Sequence, residues 1–208
     1  MAQQPSTTER GEATRRRILE VAARHFLERG YAGVSLNEII RDSGLTKGGF
    51  YFHFPSKADL ALEALDMVRS GWREEVLAAA GYYPRAVDQI AAMVRAAAAG
   101  KHNHPAGTAI GRLCQELAEQ PELVERLHPF DAWFAITADL FRLAQVQGDM
   151  DPSVDGDSAA QFAVCADLGF DQLADVSGDP GLVERSVDSY LAYTFAAVGI
   201  TAPVPERS

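Results

Sequence analysis

Between Gly30 and Lys57 helix stops and helix caps follow one another so closely that only very short helices fit, and this limits the architecture more than any other feature of the chain. The preceding run, from about Thr14 to Arg29, places Ile18, Leu19, Ala22, Ala23, Phe26 and Leu27 at intervals of three and four, the pattern of a helix with one apolar face, and Gly30 ends it. Ser35-Leu-Asn-Glu38 has the spacing of a capping box, in which hydroxyl and carboxylate satisfy each other's free backbone donors. It opens a short helix through Ile39 and Ile40 that Gly44 stops. Thr46 caps a second short helix, and Pro55-Ser56 begins a long one, with Ser56 and Asp59 repeating the box spacing. Two short helices joined at Ser43-Gly44-Leu45-Thr46 have the dimensions of a helix-turn-helix, with Gly44 supplying the positive φ that the tight turn needs.

The rest of the chain reads as helix too. One continuous helix is expected from Ser56 to about Ala80, broken at Gly81-Tyr-Tyr-Pro84, with further helices starting near Pro84, Ala106, Pro121 or Pro129, Asp155 and Pro180. No stretch alternates apolar and polar residues as a strand does, and no Asn-Gly or Asp-Gly hairpin turn lies between apolar runs. The expectation is an all-α chain: a three-helix helix-turn-helix domain over residues 1–57, joined by the long helix to a helical regulatory domain over 58–208. The tail from Thr201, with Pro203 and Pro205, is expected to fray.

Charge separates the two parts. The whole chain carries −10, which argues against a phosphate-rich partner, yet residues 1–57 hold nine Lys/Arg against six Asp/Glu, a net +3, and the remainder holds −13. With 47% apolar residues the chain can bury a core, and no apolar run approaches the roughly 18 residues of a membrane span. The polar N-terminus and the two cysteines, Cys114 and Cys165, read as core packing rather than a disulfide, predict a cytoplasmic protein with no membrane partner.

In a helix-turn-helix the second helix enters the major groove with its first residues at the base edges, here Thr46, Lys47, Gly48 and Gly49. Each glycine costs a helix about 1 kcal/mol relative to alanine. Close approach of backbone to DNA gives a reason for two in a row. Phosphate contacts are expected from Ser35, Tyr51, His53 and Lys57, with Arg15, Arg16 and Arg17 adding attraction. A satellite core accounts for Phe50 and Phe54. Taken alone, His53 also fits a surface histidine, and three arginines at a helix start also fit a solvated face.

Thr46-Lys-Gly-Gly-Phe-Tyr-Phe-His-Phe-Pro-Ser-Lys57, preceded by Gly30-Tyr31, Ser35 and Ile39, resembles the N-terminal signature of TetR-type repressors. The resemblance covers about residues 14–62 and implies operator contacts by Ser35, Thr46, Lys47, Gly48, Tyr51, His53 and Lys57. Gly49 departs from that signature, which has Ala at this place.

Residues 58–208 carry no phosphate loop, no Gly-x-Ser-x-Gly and no His-Glu-x-x-His, so neither catalysis nor a cofactor is expected. His102-Asn-His104 lacks a third metal ligand and reads as a loop. Trp133, followed by Phe134, Ile136, Thr137, Leu140 and Phe141, fits either a core or the wall of an apolar ligand pocket. Trp133 to Gln147-Gly-Asp149, Val154-Asp155, Val176-Ser-Gly178 and Leu182-Val-Glu-Arg185 are similar to the C-terminal half of the γ-butyrolactone autoregulator receptors within the TetR type. That resemblance implies a pocket at Trp133, to which we assign Phe134, Thr137, Phe141 and Phe162. It also implies a homodimer built by the last two helices, with Phe162, Leu168, Leu191 and Phe195 divided between core and partner in a way the sequence leaves open. The resulting expectation is a repressor released from palindromic double-stranded operator DNA by a small, γ-butyrolactone-like inducer. The alternative is a pseudo-receptor that answers an antibiotic, another metabolite or no ligand.

Overall fold

The computed structural model describes residues 7–103, 107–179 and 181–201. Among them nine α-helices run in order: α1 (Thr7–Arg29), α2 (Leu36–Asp42), α3 (Lys47–His53), α4 (Lys57–Ala80), α5 (Ala86–Asn103), α6 (Gly107–Ala118), α7 (Asp131–Gln147), α8 (Gly156–Ser177) and α9 (Gly181–Ala197). A 3-10 turn, Val124–Arg126, lies between α6 and α7. The all-helical expectation holds, and most helices begin within a few residues of their predicted starts. The exception is α1, which begins at Thr7. Its first two turns are polar and carry no apolar period to announce them.

The chain forms two compact units, drawn differently from the expected boundary at 57/58. The first comprises residues 1–72 and 106–128, the second residues 73–105 and 129–208. The reason lies in the core of the first unit. Ile18, Phe26, Ile39, Phe50, Phe54 and Leu60 are fully buried there together with Leu113 and Leu117 of α6 and Leu123 beyond it. The apolar face of α6 thus completes the core of the N-terminal unit, and sixteen residues of α4 belong to that unit as well.

Local chemistry fixes the short helices. The Ser35 hydroxyl accepts from the Glu38 N–H at 3.3 Å while the Ser35 N–H donates to the Glu38 carboxylate at 2.9 Å, the reciprocal box that the spacing predicts. Gly44 stands at φ +72° in the turn between α2 and α3, where a Cβ would be strained. At the head of α4 the Ser56 hydroxyl accepts from the Asp59 N–H at 3.0 Å and donates to the Asp59 carboxylate at 2.6 Å.

In the second unit α7 packs mainly against α8 and α5, and α9 against α5 and α8. Phe141, Leu191 and Phe195 lie in its core, and the Tyr190 hydroxyl donates to the Ala163 carbonyl at 2.7 Å. Arg85 holds Asp149 through two hydrogen bonds of 2.9 and 3.2 Å, and an antiparallel bridge joins Met150 to Ile200. The two cysteines are free. Cys114 is buried as expected, but Cys165 is exposed, because it lies on the face of α8 away from Ala159, Ala160 and Ala163.

The capping box leaves a titration signature. The Ser35 backbone N–H, then its hydroxyl and Arg29, hold the Glu38 carboxyl down at about 2. The folded value lies below the unfolded one, about 4.3. The stabilisation is therefore complete above the unfolded value and is lost as pH falls through it towards about 2. Glu38→Gln keeps the hydrogen-bonding shape without the charge. Thermal melts between pH 6 and 3 are expected to show a shallower acid loss for the variant than for the wild type, and parallel curves would contradict this role for the carboxylate.

Candidate nucleic-acid interface

Seven residues, α3, carry the candidate surface, and the helix turns two of its sides to different tasks. Phe50 is fully buried, as is Phe54 at the C-cap, where its N–H donates to the Phe50 carbonyl. The expected satellite core at these two rings is present, but it is continuous with the main core of the unit rather than separate from it. Gly49 and His53 are half-buried at the margin. Lys47, Gly48, Tyr51 and Phe52 are exposed, and at 100° per residue they fall into one arc made of two rows, Lys47 with Tyr51 and Gly48 with Phe52.

The Thr46 hydroxyl accepts from the Gly49 N–H at 3.2 Å, so it caps α3 and keeps its own proton for an outside acceptor. A Cβ at Gly49 would stand 3.3 Å from that oxygen, which explains a small residue there by packing. The Gly49 N–H is used by this cap, and of the two glycines only Gly48 lies in the exposed arc. A Cβ at Gly48 would meet nothing within 4 Å, so packing gives no reason for that glycine. Lys47 is exposed and makes no ion pair or hydrogen bond among the described residues. The Arg17 guanidinium lies beside Gly44, where a Cβ would meet it at 3.4 Å, so it flanks the turn leading into α3.

Other predicted contacts have structural partners of their own. Lys57 donates to the Tyr31 carbonyl at 2.6 Å and stands 4.3 Å from the centre of the Tyr31 ring. Its burial lowers the ammonium pKa, opposed by nearby Glu116. Two of its three donor protons remain available to another acceptor. Tyr31 in turn gives its N–H to the Glu116 carboxylate of α6 at 2.5 Å, and Arg112 donates to the Leu27 carbonyl at 2.6 Å. Gly30 sits at φ +73°, and a side chain on it would collide with the Glu116 carboxylate. Arg15 pairs with Glu63 and lies over the Phe54 ring at 4.7 Å, so its charge is engaged within the unit. Arg16 and Arg17 stay exposed. Ser35 is exposed, with its hydroxyl in the capping box.

The structure places the predicted pocket residues unevenly. Trp133, Phe134, Thr137 and Phe141 share one face of α7; Phe141 is buried and the other three are half-buried. Phe162 differs from them, being 50% exposed. The α8 residues that enter the core are Ala159, Ala160 and Ala163, and Phe162 lies roughly a third of a turn away from them. The side chains of His102 and His104 lie outside the described residues.

Residues 18–64 match the sequence pattern of "Bacterial regulatory proteins, tetR family". A solved structure of full-length TylP, a TetR regulator from Streptomyces fradiae, superposes with a TM-score of 0.64 at 30% identity, covering 90% of this chain and 87% of that one. The chain belongs to the TetR family. It is accordingly a DNA-binding transcriptional regulator, with α2 and α3 as its helix-turn-helix. The HTH-type transcriptional repressor BepR of Brucella suis is 28% identical over 163 residues, 76% of this chain and 78% of that protein. The A-factor receptor protein of Streptomyces griseus is 28% identical over 164 residues, 77% of this chain but only 54% of the receptor.

For this TetR-family head, Gly48→Ala separates folding from binding. Alanine raises helix propensity by about 1 kcal/mol and finds open space, so the melting temperature is expected to hold or rise. Affinity for duplex DNA is expected to fall, because the added methyl keeps the helix off the bases. Melting curves and band shifts on the same preparation read the two effects, and unchanged affinity would remove Gly48 from the interface.

Proposed function

We propose that this chain is a homodimeric repressor that binds a palindromic operator through the exposed arc of α3 and leaves it when a small apolar ligand binds at Trp133. The observation that carries the proposal is the exposed arc, with unpaired Lys47, side-chain-free Gly48 and Tyr51 presented by a helix whose other side is locked into the core. Thr46, Lys47, Gly48 and Tyr51 act at the base edges and nearby phosphates, with Ser35, His53 and Lys57 on the backbone. Lys57 does so with the donors left after its bond to Tyr31. Two heads held about 34–36 Å apart by a dimer read half-sites one helical turn apart.

The dimer reading draws support from apolar residues that their own unit leaves uncovered. On α8, Phe162, Cys165, Gly169, Leu173 and Val176 recur at spacings of three and four and are all exposed. On α9, Ala192, Tyr193 and Ala196 are exposed while Leu191 and Phe195 are in the core. Phe162 is therefore reassigned from the pocket to the dimer face. Phe162→Glu is expected to weaken dimerisation on the order of 30-fold, the weight of a central interface residue worth about 2 kcal/mol. Sedimentation across a concentration series measures it, and an unaltered monomer–dimer equilibrium would return Phe162 to the pocket reading.

The ligand reading rests on Trp133, Phe134 and Thr137, three half-buried residues beside buried Phe141 on one helix face, which leave contact area for an apolar guest. Similarity to the A-factor receptor favours a γ-butyrolactone as that guest. Release requires that the ligand bind the DNA-free state more tightly than the DNA-bound one. The test begins with selection of duplexes from a random library by the full chain, followed by band-shift titration with γ-butyrolactones. The wild type is expected to release its duplex, and Trp133→Ala to keep the duplex and lose the response. A library with no enriched duplex overturns the repressor reading, and a complex that resists every lactone overturns the lactone.

A further inference from the structure

Phe52 is the residue of α3 that neither the core nor the expected contact set explains. The residue is 85% exposed, against complete burial of Phe50 two residues before it and Phe54 two residues after. The aromatic neighbour described for the ring is His53, with the two planes nearly perpendicular and their centres 5.2 Å apart, and most of the side chain remains in water. The same row of the helix holds a second unexplained choice. Gly48 lies one turn earlier, roughly 6 Å along the axis, at a position with open space around it where alanine would make a better helix. One row thus combines a missing side chain that packing does not require with a large apolar one that packing does not use.

A surface lying against this row accounts for both. The bare backbone at Gly48 allows close approach, and the phenyl ring is covered once that approach has happened. Resting on the DNA-binding role of α3, we infer that Phe52 reads sequence by packing against the 5-methyl group of a thymine in the major groove. The choice of thymine follows from the chemistry of the groove. Guanine, adenine and cytosine present donors and acceptors there, and thymine adds the one apolar group, its methyl. A phenyl ring has no hydrogen bond to offer, so against a polar edge it would strip water from groups and replace nothing. Against a methyl it gains contact and leaves no polar atom unpaired. Phe52 on this reading selects T·A over the other pairs at one position of each half-site, while Lys47 in the neighbouring row supplies attraction and hydrogen bonding.

The test uses the full chain and a duplex enriched by it from a random library. Each thymine of one half-site is replaced in turn by deoxyuridine, which removes the methyl and leaves pairing unchanged. Binding is followed by fluorescence anisotropy for the wild type and for Phe52→Ala. At one position the wild type is expected to lose affinity about fourfold, the weight of one buried methyl-sized group, and the alanine variant to be indifferent to the same change. If Phe52→Ala binds too weakly to titrate, Phe52→Leu replaces it, with a smaller loss expected at the same position. A wild-type scan without a sensitive thymine overturns the inference, as does equal sensitivity in wild type and variant. Failure to enrich any duplex removes the DNA-binding reading itself, so the two failures are distinct.

Discussion

A helix of seven residues closes too few backbone hydrogen bonds to persist alone in water, so α3 depends on its anchors. Phe50 from within it and Phe54 just past it are both fully buried in a core shared with α1, α2, α4 and α6. Thr46 ties its first turn from the other end. These three attachments fix which residues face outward, because rotating so short a helix by one residue would expose a phenylalanine. The exposed arc of Lys47, Gly48, Tyr51 and Phe52 is in this sense set by what lies behind it.

The positive excess of residues 1–57 is largely engaged within a unit that, counted whole, holds twelve Lys/Arg against thirteen Asp/Glu, a net −1. Arg15 pairs with Glu63, Arg29 with Glu38 at 3.0 Å, Arg41 with Asp42 at 2.9 Å, and Lys57 bonds the Tyr31 carbonyl. The excess of three charges is therefore a poor measure of attraction for phosphate. Individual placements say more: Lys47 stays unpaired on the exposed arc of α3, and exposed Arg17 flanks the turn leading into that helix.

Features governed by near neighbours were legible in the sequence. The box at Ser35 and Glu38, the positive φ at Gly44, the cap at Thr46 and the helix starts after α1 all depend on residues within a few positions of one another, and the structure has them. Assignments that depend on distant packing were not legible. The apolar period of α6 shows that it has a buried face but does not identify the core that receives Leu113 and Leu117, so the boundary at 57/58 cut through a unit. On α8 the same period left open which apolar stripe faces inward; small Ala159, Ala160 and Ala163 do, and Phe162 does not. The exposure of Phe52 had a signal available, since three phenylalanines at alternate positions cannot all lie on one side of a helix.

The carboxylate of Glu116 lies where a side chain on Gly30 would otherwise be, and it accepts the N–H of Tyr31. Two positions distant in sequence thus form one fitted joint. For anyone building chimaeras between regulators of this kind, a single crossover after Lys57 would pair a foreign α6 with the native end of α1 and lose that fit. Crossovers at 72/73, 105/106 and 128/129 would transplant the helix-turn-helix unit with its own α6, keeping the joint intact.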